Sequence, residues 1–120
     1  MRKKIKSIVY ALRGLRAAYS CDISFRLELA SSAIFLVFGY IVWPLSMPEF
    51  LFFVMSYILI ITAELFNTAL EQALDRLHPG RHEAIGASKD IAAAAVFVTM
   101  LFAGFVFVVI GGRHLGIWFV

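Results

Sequence analysis

The chain has 120 residues, 62% of them hydrophobic and 15% aromatic against 16% charged, with a net charge of +3 at pH 7. That is more apolar surface than a small water-soluble domain can bury, which excludes that class and makes a membrane protein the expectation. No nucleic-acid-binding motif accompanies the positive charge, so it reads as topology and contact with anionic lipid, and no nucleic-acid partner is expected.

Between Lys3 and Tyr19, Ile5, Ile8, Val9, Leu12 and Leu15 recur at helical spacing, with Lys4, Lys6, Arg13 and Arg16 largely elsewhere. This predicts an amphipathic helix lying on the inner membrane surface. The segment is charged and has no apolar core followed by a small-residue cleavage site, so a cleavable signal is not expected. Cys21 is the one cysteine, which rules out an internal disulfide, and it reads as a small interfacial residue. Three stretches then approach the roughly 20 apolar residues that a crossing helix needs: Phe25 to Trp43, Phe50 to Leu74 and Ile91 to Gly112. "WPLSMPE", with Pro44 and Pro48, breaks the pattern between the first two, and Trp43 suits an interface anchor. "HPGRHEAIGAS", with Pro79, Gly80 and Gly86, reads as the loop between the second and third, Ser88 being a candidate helix cap.

The expected fold class is therefore an all-α membrane protein: an N-terminal amphipathic surface helix plus three transmembrane helices, in a single membrane-embedded domain over residues 1–120. Arg2, Lys3, Lys4, Lys6, Arg13 and Arg16 precede the first span and Arg76, Arg81 and Lys89 follow the second, whereas "PLSMPE" has neither Lys nor Arg. The positive-inside bias then puts the N-terminus inside and the C-terminus outside, with "GGRHLGIWFV" as an outer tail.

The second span ends in "AELFNTALEQALD", Ala63 to Asp75, which carries three carboxylates and an asparagine. At about 100° per residue, Glu64, Asn67, Glu71 and Asp75 fall near 0°, −60°, −20° and +20°, one stripe running about 16 Å along the helix. An ionised carboxylate at membrane depth costs at least a few kcal/mol, so it faces protein or water and has a partner or a task. The plain reading is that Glu64 and Asn67 join helices while Glu71 and Asp75 pair with Arg or Lys at the interface. Helix association needs one or two polar groups, however, and not four in register. "SKD", Ser88 to Asp90, adds a cation and an acid at the inner end; alone, Lys89 beside Asp90 reads as a snorkelling pair. Together with the stripe it provides what phosphoryl transfer requires: acidic ligands for a divalent cation, a fixed cation for the migrating group, and a base, for which Glu64 is the candidate. GxxxxGK[ST], GxGxxG and HExxH are all missing, which excludes the usual nucleotide folds. A small oligomeric channel or proton-coupled carrier is the rival from another class, although the outer half of the second span offers a pathway only Ser56, Tyr57 and Thr62. A non-catalytic assembly subunit is a third.

From Glu64 to Asp75, "ELFNTALEQALD" resembles the signature of the small prokaryotic diacylglycerol kinase family, E-x-aliphatic-N-[ST]-[SA]-aliphatic-E-x-x-V-D. It keeps every polar position, with Phe66 and Leu74 as apolar departures. "GLRAA" at Gly14 to Ala18, "FRLE" at Phe25 to Glu28, "HE" at His82 and Glu83, and "KD" at Lys89 and Asp90 extend the likeness over nearly the whole chain. The resemblance implies a homotrimer in the bacterial cytoplasmic (inner) membrane, with shared active sites at the cytoplasmic interface and a lipid hydroxyl phosphorylated by ATP and Mg2+. It implies Glu64 as catalytic base, Glu71 and Asp22 as metal ligands, Lys89 at the terminal phosphate with Asp90 beside it, and Asn67 as an essential polar residue. Lys3, Tyr10, Arg81 and His82 align with further ATP contacts. Arg16, Ala17, Tyr19, Phe25, Arg26 and Glu28 would meet the lipid together with Glu64. Asp22 stands where the family usually has Glu, one methylene longer. For the substrate, "GLRAA" and "FRLE" resemble the branch that converts diacylglycerol to phosphatidic acid, which is the expectation; "KDIAAAAV" resembles the undecaprenol kinase branch, which is the alternative.

Overall fold

The apolar runs become helices because hydrocarbon offers no hydrogen-bond partner to a backbone, so each crossing segment must satisfy its own N–H and C=O groups. A computed structural model describes residues 1–21, 23–80 and 82–118, the side chains of Cys21 and Ser24 excepted. Its helices are α1 (Arg2–Cys21), α2 (Ile23–Val42), α3 (Met47–Leu77) and α4 (Glu83–His114). Three are long and apolar enough to cross a membrane, over Phe25–Val42, Met47–Leu77 and Glu83–His114. The architecture is all-helical and multi-pass.

Helix starts differ from the sequence expectation, each for a local reason. α3 begins ahead of Phe50 because Ser46 caps it: its hydroxyl accepts from the Glu49 N–H at 3.3 Å while Glu49 Oε1 accepts from the Ser46 N–H at 3.0 Å. Pro48 falls in the first turn, where no intrahelical donor is needed, so it starts the helix and does not break it. α4 begins at Glu83, two turns ahead of Ile91, with His82 as N-cap: its Nδ1 accepts from the Ala84 N–H at 3.2 Å. Ser88 is therefore not the cap. It lies inside α4, and its hydroxyl donates back to the Ala84 carbonyl at 3.1 Å.

The main seam lies between α3 and α4, with α2 packed on both and α1 against α2 and α3. α3 turns Ser56, Ile60, Glu64, Asn67 and Thr68 inward, and α4 turns Val96, Ala103, Val106, Ile110 and Gly112 inward. The apolar core gathers at the end away from the α3–α4 loop, where Val42, Val106 and Ile110 meet Phe38, Phe53 and Phe102. There Phe38 stacks on Phe107 with centroids 4.1 Å apart, and Phe35 meets Phe107 edge-on at 4.9 Å. Ser32 Oγ and the Tyr57 hydroxyl, 2.7 Å apart, add a polar tie between α2 and α3. Leu36, Phe66, Phe97 and Phe105 face outward, the arrangement hydrocarbon favours.

A clamp closes the same end. Arg113 Nε, in the last turn of α4, donates to Glu49 Oε2 at 2.5 Å, and its Nη2 reaches the Pro44 carbonyl at 3.4 Å. The tail folds back over Gly112: the Trp118 indole N–H donates to the Val109 carbonyl at 2.7 Å, and a Cβ on Gly112 would collide with the Trp118 ring. The side chains of Arg113 and Glu49 are only 27% and 15% exposed, so removing one leaves the other poorly solvated. Arg113→Ala is expected to lower the unfolding free energy by about 1–3 kcal/mol, and Arg113→Lys by less. Equilibrium unfolding in detergent micelles measures both.

Candidate active site

The polar groups of α3 occupy one face because four of them recur at three- and four-residue spacing on an unbroken helix. Glu64 and Asn67 are 7% and 9% exposed, Thr68 is 4% exposed, Glu71 is half-buried and Asp75 is open. Asn67 bridges the middle of the stripe, its Nδ2 donating to Glu71 Oε1 at 3.3 Å. Its Oδ1 is buried and has no hydrogen-bond partner among the described residues, so the site keeps a polar atom facing inward that a bound group could satisfy. Thr68 was not singled out in the sequence. Its signal was its place four residues after Glu64, about 40° round the same face.

The α3–α4 loop turns the two helices antiparallel and brings Lys89 onto Asp75 as an ion pair. Lys89 thus pairs across the loop and not with its neighbour Asp90, which is exposed on α4. Asp75, His78, Gly80, His82, Gly86 and Lys89 line an open pocket of about 500 Å³. The His78 and His82 rings stand 6.0 Å apart at its rim. With Nδ1 of His82 accepting from the backbone, Nε2 carries the proton and is the donor left for a ligand.

The remaining predicted residues are spread more widely. Lys3, Tyr10, Arg16, Ala17, Tyr19 and Arg26 are exposed on α1 and the start of α2, with Arg13 over the Tyr10 ring at 5.8 Å. Glu28 is half-buried, and its Oε1 accepts from Ser31 one turn on at 3.1 Å, a contact the sequence reading missed. Phe25 near the start of α2 and Ala18 near the end of α1 are buried, at 1% and 6% exposed. Asp22 and Arg81 lie outside the described residues. Along α3, Glu64 and Asp75 are about 16 Å apart, so within a single chain the stripe runs from Glu64, Asn67 and Thr68 through Glu71 to Asp75, with His82 and Lys89 beside its loop end. Among the described residues no three or more His, Cys, Asp or Glu side chains gather as a metal site.

Comparison with known proteins follows the same residues. A family model described as "Prokaryotic diacylglycerol kinase" matches residues 9–111, which holds the whole α3 stripe and the α4 "KD". The chain is 31% identical over 102 residues to a diacylglycerol kinase of Haemophilus influenzae, covering 85% of this chain and 86% of that one. It is 29% identical over 113 residues to a diacylglycerol kinase of Escherichia coli, covering 93% and 91%. An undecaprenol kinase of Bacillus subtilis is 31% identical over 98 residues, covering 82% and 79%. A match over residues 9–111 goes with three spanning helices and a buried carboxylate–amide stripe, and on these grounds the chain belongs to the prokaryotic diacylglycerol kinase family and is a lipid kinase.

Proposed function

We propose that the chain transfers the terminal phosphoryl group of ATP to the primary hydroxyl of diacylglycerol, giving phosphatidic acid. The observation that carries this reading is the inward polar face of α3, with Glu64 and Asn67 buried and Glu71 held by Asn67 within a helix apolar enough to span a membrane. As the lipid oxygen attacks, its proton passes to Glu64; the new O–P bond forms while the bond from the terminal phosphorus to the bridging oxygen breaks, and ADP leaves. Lys89 offsets charge on the transferring group, with Asp90 beside it, while Lys3, Tyr10, Arg81 and His82 hold the rest of the nucleotide. Arg16, Ala17, Tyr19, Arg26 and Glu28 meet the lipid head, and Phe25 backs them as an apolar wall.

The donor set fits magnesium. Mg2+ takes oxygen ligands from one or two carboxylates and completes its shell with phosphate oxygens and water. Glu71 is one such carboxylate, fixed by the Asn67 hydrogen bond, and Asp22 is the second. The bound ion would supply neutralisation of phosphate charge.

The same reading takes the assembly to be a homotrimer in the bacterial inner membrane, N-terminus inside and C-terminus outside, with α1 lying amphipathically on the inner surface and each chain forming one domain. Two things support an assembly. Three spanning helices shield a four-residue polar stripe poorly, and the roughly 16 Å between Glu64 and the Lys89–Asp75 pair leaves room for a neighbouring chain to complete each site. Undecaprenol is the second substrate reading, favoured by "KDIAAAAV" and by the likeness to the Bacillus subtilis protein. Conduction is disfavoured: of the polar groups in the outer half of α3, Ser56 donates to the Phe53 carbonyl at 2.7 Å and Tyr57 is bonded to Ser32.

Purified protein in mixed micelles with labelled ATP and magnesium tests the reading. Wild type is expected to phosphorylate diacylglycerol in preference to undecaprenol, and Glu64→Gln to lose about 100-fold or more in kcat; a variant at full rate, or a wild type inert toward both lipids, sinks it. Removing the amide that orients Glu71 should act through the metal. Asn67→Ala is expected to raise the magnesium needed for half-maximal rate by about 10-fold or more, read by titrating magnesium at saturating ATP.

A further inference from the structure

The ammonium of Lys89 is not simply solvated at the pocket, because it is ion-paired with the Asp75 carboxylate. One residue stands in the last turns of α3 and the other in the second turn of α4, so the pair fastens the two helices across the pocket that both line. Asp90 does not take this place, since consecutive helical residues diverge by about 100°. Stability explains the pair poorly: the Lys89 and Asp75 side chains are 34% and 64% exposed, and solvent-exposed ion pairs contribute little. Orientation explains it better. A lysine head is a point charge on a flexible four-carbon stem, and its effect on a transferring phosphoryl group depends on where that head is held. Asp75 is one turn from Glu71 and about 40° away on the helix circumference, so it keeps the head on the side of α3 that carries Asn67 and Glu71. With three N–H donors, Lys89 can keep Asp75 and still donate to a phosphate oxygen.

We infer that Asp75 is a positioning residue, whose carboxylate fixes the Lys89 ammonium at the mouth of the pocket toward the terminal phosphate of the nucleotide. The inference rests on the reading of Lys89 as a phosphate contact. Asp75 acts through Lys89 and touches neither substrate.

The test places Asp75→Asn in two backgrounds of the full chain in mixed micelles. With Lys89 present, kcat is expected to fall about 10-fold while the KM for MgATP moves less than about 3-fold. With Lys89→Met in place, Asp75→Asn is expected to change the residual rate no further. An equal loss in both backgrounds, an unchanged kcat with Lys89 present, or a raised KM at constant kcat overturns the inference. A second readout needs no nucleotide: acylation of the Lys89 amine, followed by mass spectrometry, is expected to run about 3-fold or more faster in Asp75→Asn, and an unchanged rate overturns the pairing. Full activity of Lys89→Met would remove the premise as well, whereas full activity of Asp75→Asn beside an impaired Lys89→Met removes this inference alone.

Discussion

Hydrocarbon cannot hydrogen-bond, and the rest of the molecule follows from that. It forces every crossing segment into a helix and turns polar side chains on those helices inward, since an unsatisfied group facing lipid costs several kcal/mol. Glu64, Asn67 and Thr68 lie on the buried face of α3 for this reason, while Leu36, Phe66, Phe97 and Phe105 point outward. A water-soluble bundle of the same size would reverse the two sets.

The constraint divides the bundle lengthwise. Toward the Glu49–Arg113 end the interior is filled by phenylalanine rings, a capping box, a half-buried ion pair and a tail that folds over Gly112. Toward the α3–α4 loop the interior is acid and amide, and the space between the helices opens into a pocket.

Much of this was legible in the sequence because the governing signals are local. Hydropathy over some twenty residues marks a span whatever its neighbours, and the α3 stripe needs only the helical period to be placed on one face. Helix starts were misread where hydropathy and helix propensity part company: Glu83, Lys89 and Asp90 lower the first without ending the second. The S-x-x-E of Ser46 to Glu49 was readable as a capping box and was obscured by Pro48. Lys89–Asp75 was not readable as a particular pair, because it depends on how a five-residue loop closes α3 on α4. Sequence adjacency pointed to Asp90. Burial of Phe25 was likewise hidden, since it depends on contacts between helices and not on local pattern.

In the proposed reading, the order of groups along α3 matches the directions from which the two substrates come. A lipid hydroxyl arrives from the bilayer and a nucleotide from water, so the base belongs deepest and the cation shallowest, with the metal-binding carboxylate between them. Glu64, Glu71 and the Asp75–Lys89 pair stand in that sequence over about 16 Å. Asn67 links the first two levels by lying between Glu64 and Glu71 and donating to the latter. A channel would need polar groups along the whole span, and a structural subunit would need only one level of them. Three graded levels ending at an aqueous pocket suit a group transferred from water to a hydroxyl held at membrane depth.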